Sequence, residues 1–453
     1  MLSIREFLSS LEGEGDLVRI RDRVSTQYEI VALTRQASDQ GGPALLFENV
    51  DGSQFPVLSG LFGTQRRVAK ALGVKSQELF KCYLEREGRQ IEPQLVTESL
   101  SREVVWTGSQ IDLTRLPILR HYEKDAGPYV TAGLQIAKDP SSGCRNVSIH
   151  RMLPVGKDRL TVFAPPGRHL RTIIERNEER GQGTPIATAI ACSPAAQIGS
   201  QARATYGTDE FALAGGLIGV PIRLARCATI DVEVPADSEL VIEGVTIPGE
   251  RAQDGPFGEY PGTYSDIKPA PVLKITAITF RKGALYQNTL TGMAMTENHF
   301  MMQPAATALA WREASRITPE IKAINVTSGG TCRHHVVVSL QKRHPAEARN
   351  VGLALLACGL GAKYVVVVDH DIDVFDPLQV EWAMNIRMQA DKDVVIVPNL
   401  YSPTLDPSAP ASRTSAKMLI DATAPLGRLE EFQAPRIIGI ESFPLSKYWK
   451  PGR

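Results

Sequence analysis

Asn146-Val147-Ser148-Ile149-His150-Arg151 indicates how the middle of this chain folds. Side chains of a β-strand alternate between two faces, so its three polar residues from Asn146 to His150 share one face and Arg151 lies on the other. Short β-branched runs broken by Gly and Pro surround it, at 160–164, 229–234, 240–245 and 272–281. Strands spaced this closely predict a barrel-like sheet, which we place at residues 111–300.

Two blocks flank this region. Residues 1–110 mix helical patterning with short β-rich runs and predict an N-terminal α/β domain. Residues 301–453 alternate apolar strands with helices, which predicts an α/β layer with buried parallel strands. The helices are predicted at 4–12, 29–37, 305–317, 346–359 and 377–387, and the strands at 44–47, 336–340, 365–368 and 394–397. The predicted fold class is a multidomain α+β and α/β protein.

The composition argues against several classes of protein. Fifty basic and fifty acidic residues among 453 give no net charge, so neither a nucleic-acid nor a membrane-surface partner is expected. The six cysteines are scattered without a C-x-x-C pair, which fits a reducing compartment. No signal peptide is apparent and no apolar run approaches the ~20 residues that span a bilayer, so we expect a cytoplasmic protein.

Two carboxylates flank a turn in Asp254-Gly255-Pro256-Phe257-Gly258-Glu259. Proline and glycine disfavour a helix here, so the stretch predicts a tight loop that holds both acids near one site. Neighbouring carboxylates rarely ionise alike, and one of them can keep a proton at neutral pH. The pattern therefore indicates proton-transfer chemistry, although an isolated turn of this kind is more often a solvated loop.

His169 and Glu210 complete a set of four motifs in order. His169 follows Pro165-Pro166-Gly167-Arg168, and Glu210 precedes an Ala214-Gly215 element. The chain here resembles the UbiD family of decarboxylases, whose pattern is N-x-(S/G)-x-x-R, a His, a Glu before A-G, and (E/D)-G-P-(F/Y)-G-E. The separations fit, with 18 residues from Arg151 to His169 and 49 from Glu210 to Glu259, and the resemblance runs from about residue 116 to 417.

The resemblance implies the cofactor and the domain roles. The family uses prenylated flavin mononucleotide (prenylated FMN), held by a central split β-barrel similar to that of flavin reductases. The N-terminal α/β domain flanks the barrel, and the C-terminal α/β domain supports a homodimer or a homohexamer. The residues expected at the cofactor are Asn146, Ser148, Ile149, His150, Arg151, Arg168, His169, Glu210 and Lys363.

Asn146, His169 and Glu210 offer an amide oxygen, an imidazole nitrogen and a carboxylate. This mixed set suits Mn²⁺ or Mg²⁺ better than a structural zinc. The resemblance implies that the ion ties the flavin phosphate to the protein, together with K⁺. It also implies that Glu259 is the acid/base, oriented by Arg151 and Asp254. Several family members have Glu where this chain has the shorter Asp254.

Other features give weaker signals. Asp369-His370-Asp371-Ile372-Asp373 looks like a metal cluster, but acids at the end of a buried strand more often cap a helix or line a subunit contact. Lys363 and Lys417 are candidate phosphate or inter-domain contacts. His299 and Arg333 are candidate substrate residues that would suit a second acid or a ring heteroatom, with solvated loops as the equal alternative.

The predicted function is reversible, non-oxidative decarboxylation of an aromatic or heteroaromatic, α,β-unsaturated acid, which releases CO₂. The sequence lies nearest in character to the furan-dicarboxylate and aromatic-acid branch, and a flavin prenyltransferase would supply the cofactor. Two alternatives stay open. A flavin-dependent oxidoreductase would need a dinucleotide site, yet no G-x-G-x-x-G follows a strand. A non-catalytic subunit of a larger decarboxylase would be expected to lack Glu259 or Arg151, and both are present.

Overall fold

The N-terminal part of the chain forms a small sheet covered by helices in the computed structural model, which describes residues 2–410 and 412–449. Strands β1 and β2 pair in parallel, and β2 pairs with β3 antiparallel. The predicted helices at 4–12 and 29–37 and the strand at 44–47 are confirmed. The elements are α1 (Ile4–Gly13), β1 (Leu17–Val24), α2 (Glu29–Asp39), β2 (Ala44–Val50), β3 (Val57–Ser59), α3 (Gln65–Ala71), α4 (Leu79–Arg86) and β4 (Gln94–Leu95).

Helix α1 shows why the sequence folds locally as it does. Ser3 and Glu6 form a reciprocal capping box that satisfies free N–H groups at the helix start. Phe7 and Leu11 lie four residues apart and are buried, so one face of the helix packs on the core.

The middle of the chain forms a seven-stranded sheet, which carries the candidate site. Its order is β5-β13-β12-β9-β6-β7, with β8 beside β13, while β4, β10 and β11 form a separate three-stranded sheet. The elements are β5 (Val104–Thr107), β6 (Leu134–Lys138), β7 (Arg145–Ile149), β8 (Arg159–Thr161), α5 (His169–Glu178), β9 (Pro185–Ile190), α6 (Pro194–Gly199), α7 (Glu210–Ile218), β10 (Arg223–Arg226), β11 (Glu233–Pro235), β12 (Leu240–Asp254), β13 (Lys268–Phe280) and β14 (Tyr286–Gln287).

The large sheet is open within residues 2–410 and 412–449, because no pairing there joins β5 to β7. The split barrel therefore stays a prediction. The predicted strand at 229–234 is wrong for most of its length, since β11 begins only at Glu233. The reason is local: the backbone N–H groups of Ala228 and Thr229 donate to the Glu243 carboxylate at 2.8 and 2.7 Å, so this segment turns instead of pairing.

The C-terminal part is a five-stranded sheet in the order β15-β16-β17-β19-β18. Strands β16 and β17 are parallel and apolar, as predicted. Strand β19, which was not predicted, also pairs with β17 in parallel, whereas β15 and β18 are antiparallel edges. The prediction of a buried parallel strand at 394–397 is wrong, because β18 lies at the edge and leaves side chains such as Ile396 in solvent. The elements are α8 (Glu297–Ser315), β15 (Ile321–Val326), β16 (His335–Leu340), α9 (Glu347–Ala357), β17 (Tyr364–Asp369), α10 (Pro377–Arg387), α11 (Ala390–Asp393), β18 (Val394–Tyr401) and β19 (Thr414–Ala422).

Two contacts join the N-terminal sheet to the end of the middle region. Strand β14 pairs in parallel with β3, so it becomes the fourth strand of the N-terminal sheet. The buried carboxylate of Glu297, at the start of α8, accepts hydrogen bonds from the backbone N–H groups of Gly60, Phe62 and Leu290 at 3.1, 3.2 and 2.8 Å. Among the described helices, none is long and apolar enough to cross a membrane.

Candidate active site

Arg151 lies just beyond the end of β7 and joins two acidic side chains. Its Nε donates to Asp254 Oδ1 at 2.7 Å, and its Nη1 donates to Glu259. The side chains of Arg151 and Asp254 are 4% and 0% exposed, and that of Glu259 is 13% exposed. The structure thus brings the three predicted catalytic residues together in a mostly buried cluster.

Asp254 reaches Arg151 despite its short side chain, because it is the last residue of β12 and β12 runs up to the site. Its other oxygen, Oδ2, accepts from the Thr161 hydroxyl at 2.5 Å. The Tyr129 hydroxyl accepts from the backbone N–H of Gly255 at 3.0 Å and fixes the start of the loop. The sequence offered no pattern that marked Tyr129 or Thr161.

Glu259 is poised to hold a proton. Burial raises the pKa of Glu259 above its ordinary value of 4.5, and the charge of Arg151 opposes that rise. The Arg151 guanidinium lies 4.0 Å from the centre of the Phe163 ring, so an apolar face adjoins the acid pair. A carboxyl group in these surroundings can donate a proton and later recover it.

Hydrogen bonds from residues 122–126 fix the loop that carries Glu259. Asp125 Oδ1 accepts from the Gly258 N–H at 2.9 Å, and the Ala126 N–H donates to the Pro256 carbonyl at 2.9 Å. A Cβ on Gly258 would lie 2.2 Å from Cδ2 of Tyr122, so only glycine fits. Asp125 was missed by sequence reasoning because 133 residues separate it from Gly258 and no motif surrounds it.

A second group of donors lies on β7 and at the first residues of α5 and α7. Asn146 Nδ2 donates to Glu210 Oε1 at 3.0 Å, and His169 Nδ1 lies 4.0 Å from the same oxygen. The Val147 N–H donates to Glu210 Oε2 at 2.7 Å. Asn146 lies within β7, whereas Arg151 lies two residues past its end, so the two groups of side chains occupy different parts of this segment. Glu210 and His169 are the first residues of α7 and α5.

This donor set fits a divalent cation. Burial raises the pKa of Glu210 to about 8, and the hydrogen bonds from the Val147 N–H and the Asn146 amide oppose that rise. Oxygen and imidazole donors of this kind suit Mn²⁺ or Mg²⁺. Rotating the Asn146 amide by half a turn would present its oxygen, which now accepts from the Ser148 hydroxyl at 3.3 Å.

The other predicted cofactor residues are divided between two places. Ser148 and Ile149 are the last two residues of β7, and His150 follows them. Burial, with the charge of Arg168 as the second cause, lowers the pKa of His150 to about 3. Arg168 directly precedes His169, the first residue of α5. Lys363 instead donates to Asp406 Oδ1 at 3.1 Å and to the Ser408 hydroxyl at 2.7 Å in the C-terminal domain, so its cofactor contact stays a prediction.

The two candidate substrate residues have different surroundings. His299 is fully buried, and its ring nitrogens contact the Thr296 hydroxyl and the Tyr260 carbonyl, both at 2.8 Å. Neither candidate lies on a solvated loop, since Arg333 is also buried and donates to the Tyr260 hydroxyl at 3.1 Å. Tyr260, next to Glu259, links both candidates to the acid pair.

The weaker candidates have structural partners. Arg387 lies between Asp369 and Asp371, at 2.9 and 2.7 Å, and so fills the space that a metal would need. Lys417 donates to the Leu356 carbonyl at 2.7 Å, a contact inside the C-terminal domain.

Three family descriptions match consecutive parts of this chain. They are the 3-octaprenyl-4-hydroxybenzoate carboxy-lyase N-terminal domain at residues 8–87, its Rift-related domain at 94–294 and its C-terminal domain at 299–422. The chain belongs to the UbiD family. It is therefore a member of a carboxy-lyase family, as the four motifs predicted.

Several relatives resemble it along nearly their whole length. Anhydromevalonate phosphate decarboxylase of Methanothermobacter thermautotrophicus is 36% identical over 95% of this chain and 99% of the relative. The UbiD-class enzyme HmfF of Pelotomaculum thermopropionicum, in complex with FMN, is 40% identical over 99% of this chain and 100% of HmfF, with a TM-score of 0.91. An evolved dimeric form of HmfF contains prenylated FMN, with 39% identity, a TM-score of 0.89 and coverage of 99% and 100%. Vanillic acid decarboxylase of Sedimentibacter hydroxybenzoicus is 30% identical over 96% and 95%, with a TM-score of 0.87.

Proposed function

We propose that this UbiD-family protein catalyses reversible, non-oxidative decarboxylation of an α,β-unsaturated carboxylic acid, aromatic or heteroaromatic, with prenylated FMN as cofactor. The observation that carries the proposal is the joining of Asp254 and Glu259 by Arg151, two residues past the end of the strand that carries Asn146, which contacts Glu210. Proton-transfer groups thus adjoin residues that suit a metal-held phosphate.

The cofactor would bind in the middle domain, whose seven-stranded sheet we propose to act as the flavin-binding split barrel. Asn146, His169 and Glu210 would hold Mn²⁺ or Mg²⁺ against the flavin phosphate, with K⁺ nearby. Ser148, Ile149 and His150 would line the flavin along β7. When bound, the modified flavin supplies the electron sink that decarboxylation at an sp² carbon needs and that amino-acid side chains lack.

The protein's own side chains would hold the carboxyl group of Glu259 in place and transfer one proton between it and the substrate. Protonated Glu259 would donate its proton to the substrate carbon that has lost CO₂, and it would abstract that proton in the carboxylation direction. Arg151 holds the Glu259 carboxyl in place and is itself fixed by Asp254. The rings of Phe163 and Phe257 lie 4.0 and 5.3 Å from the Arg151 guanidinium, so apolar groups adjoin the acid pair.

The names of the relatives widen the range of acids to be tested. Vanillic acid is aromatic, whereas the substrate named for the archaeal relative carries a phosphate. A flavin prenyltransferase would supply the cofactor, and we propose a homodimer or homohexamer in the cytoplasm. The experiment is therefore expression with and without a flavin prenyltransferase, followed by a panel of aromatic, heteroaromatic and phosphorylated unsaturated acids.

We expect CO₂ release only from protein made with the prenyltransferase, and prenylated FMN as the flavin found by mass spectrometry. NAD(P)H should not be consumed. Full activity with unmodified FMN alone would contradict the cofactor assignment, and NAD(P)H-dependent turnover without CO₂ release would favour the oxidoreductase alternative.

A further inference from the structure

Tyr206 packs against the proposed metal ligand His169. The centres of the two rings are 5.2 Å apart and the ring planes meet at 81°, which is the edge-to-face arrangement that aromatic rings prefer. His169 Nδ1 lies 4.0 Å from Glu210 Oε1, which is beyond hydrogen-bond length. The contact with Tyr206, rather than the distant Glu210 oxygen, therefore restrains the rotation of the imidazole.

The ring of Tyr206 is itself held by two charged side chains. Its hydroxyl donates to Asp139 Oδ2, and Arg176 Nη1 donates to the same oxygen at 2.6 Å and to the Tyr206 hydroxyl at 3.0 Å. The Arg176 guanidinium also lies 4.8 Å from the centre of the Tyr206 ring, within the range of a cation–π contact. Burial and the hydrogen bond to Asp139 raise the pKa of Tyr206 to about 12, so the hydroxyl keeps its proton. These contacts fix a side chain that belongs to a residue 39% exposed.

Asp139 offers Tyr206 a charged acceptor in a fixed position. It is 3% exposed, and its Oδ1 accepts from the backbone N–H groups of Ser141 and Ser142 at 2.8 and 2.9 Å. Burial opposes its ionisation, but the hydrogen bonds from Tyr206 and from these N–H groups lower the pKa of Asp139 below its usual value. The carboxylate is therefore ionised at neutral pH and held by its own turn.

Tyr206 connects the three segments that carry the donor set. Its ring contacts His169 at the start of α5, and its hydroxyl is bound to Asp139, directly after the strand that pairs with the strand of Asn146. Its own loop leads into α7, whose first residue is Glu210. Tyr206, Asn146 and His169 also line one small cavity. A single side chain thus links the elements that supply all three proposed ligands.

We propose that Tyr206 is a positioning residue for the metal. Its ring sets the rotation of His169, and its hydroxyl, held by Asp139 and Arg176, sets the ring. Metal-binding histidines are normally oriented by a hydrogen bond from their second nitrogen, and ring packing takes that part here. The inference rests on the proposed function, which places a divalent ion at His169. Tyr206 acts through this imidazole and does not itself bind the ion.

The test measures metal affinity instead of turnover. The full-length protein, made with a flavin prenyltransferase, is stripped of metal with a chelator and titrated with Mn²⁺, and the electron paramagnetic resonance (EPR) signal of the free ion gives Kd. The EPR spectrum of the bound ion is a second readout, because it depends on how the imidazole is placed. Circular dichroism shows whether each variant keeps the fold.

Tyr206→Ala should raise the Kd for Mn²⁺ about 10- to 100-fold, the usual cost of changing a group that orients a metal ligand. The spectrum of the bound ion should change, and excess Mn²⁺ should restore turnover. Tyr206→Phe keeps the ring but loses the hydroxyl, so its Kd should lie between those of wild type and Tyr206→Ala. Tyr364→Ala is the control, since Tyr364 is 45% exposed in the C-terminal domain and should leave Kd unchanged.

Arg176→Gln tests the support of the ring. It removes the contacts with Asp139 and with the Tyr206 ring, so Kd should rise, but by less than in Tyr206→Ala. Arg180→Gln is the matched control. Arg180 lies two residues after α5 ends and binds the same turn, donating to the Pro140 carbonyl at 2.9 Å and to the Ser141 hydroxyl at 2.8 Å.

A Kd for Tyr206→Ala within about two-fold of wild type would overturn the inference and leave the proposed function intact. Equal losses in Tyr206→Phe and Tyr206→Ala would also overturn it, since the ring contact with His169 would then have no effect. Equal losses in Arg180→Gln and Arg176→Gln would show that the turn, and not Tyr206, is what matters. A wild-type protein that binds no Mn²⁺ or Mg²⁺ would instead contradict the metal site of the proposed function, and this inference with it.

Discussion

Arg151 Nε lies 2.7 Å from Asp254 Oδ1, and neither side chain is more than 4% exposed. A buried ion pair adds little net stability, but removing one partner leaves the other charge uncompensated. The contact also fixes the guanidinium that holds Glu259. Asp254 therefore has two roles: it compensates the buried charge of Arg151, and it fixes the position of Glu259 through Arg151.

Asp254→Asn should lower both the stability of the protein and its turnover. We expect the free energy of unfolding in urea to fall by about 3 kcal/mol, because Arg151 loses its buried counter-charge. Turnover should also fall, because the guanidinium is no longer fixed toward Glu259. Asp266→Asn is the matched control, since that carboxylate is 77% exposed and should change stability by less than about 0.5 kcal/mol. Equal unfolding curves for the two variants would contradict the role of the pair.

Glu259→Gln should separate chemistry from binding. The amide keeps the shape of the side chain but has no transferable proton, so we expect turnover to fall by about 10²- to 10⁴-fold. Exchange of the product's hydrogen with solvent deuterium should be lost as well, while flavin and metal contents stay unchanged. Glu250→Gln, on the same strand β12, is the control. Activity within a few-fold of wild type would mean that another group, such as Asp254 or His299, supplies the proton.

The pH dependence should report the surroundings of Glu259. Burial raises its pKa above 4.5, and decarboxylation needs the protonated form, so kcat should fall as pH rises through that raised pKa. The stability that Glu259 contributes through this shift is complete below its unfolded pKa and is lost as pH rises through the folded pKa. Glu259→Gln should lack both effects. A kcat limb at or below pH 4.5 would contradict the assignment.

His169→Ala or Glu210→Ala should reduce metal and flavin together before the fold is affected. Changes beside metal ligands alone typically cost about 10- to 100-fold in metal affinity, and loss of a ligand should cost at least as much. Mn²⁺ by elemental analysis and flavin by absorbance are the measurements. His370→Ala, at an exposed position, is the control. Full metal and flavin in both ligand variants would show that the donor set is misassigned.

Features that depend on residues close together in the sequence could be predicted, whereas features that depend on contacts between distant residues could not. The loop that carries Glu259 was predictable, because proline and glycine disfavour a helix there whatever the rest of the chain does. The strand at 394–397 was predicted correctly, but its edge position was not, because an apolar run does not reveal whether it becomes a central or an edge strand. Asp125 could not be found, because its contact with Gly258 spans 133 residues and no local pattern marks it.

The pairing of β14 with β3 has a consequence for the order in which the protein can be made. Chains emerge from the ribosome from the N-terminus, and early domains usually fold first. The first sheet, however, takes its fourth strand from Tyr286–Gln287. Its outer strand β3 therefore has an unpaired edge until roughly two thirds of the chain has been synthesised, and the nascent N-terminal region is exposed to wrong strand partners for that time.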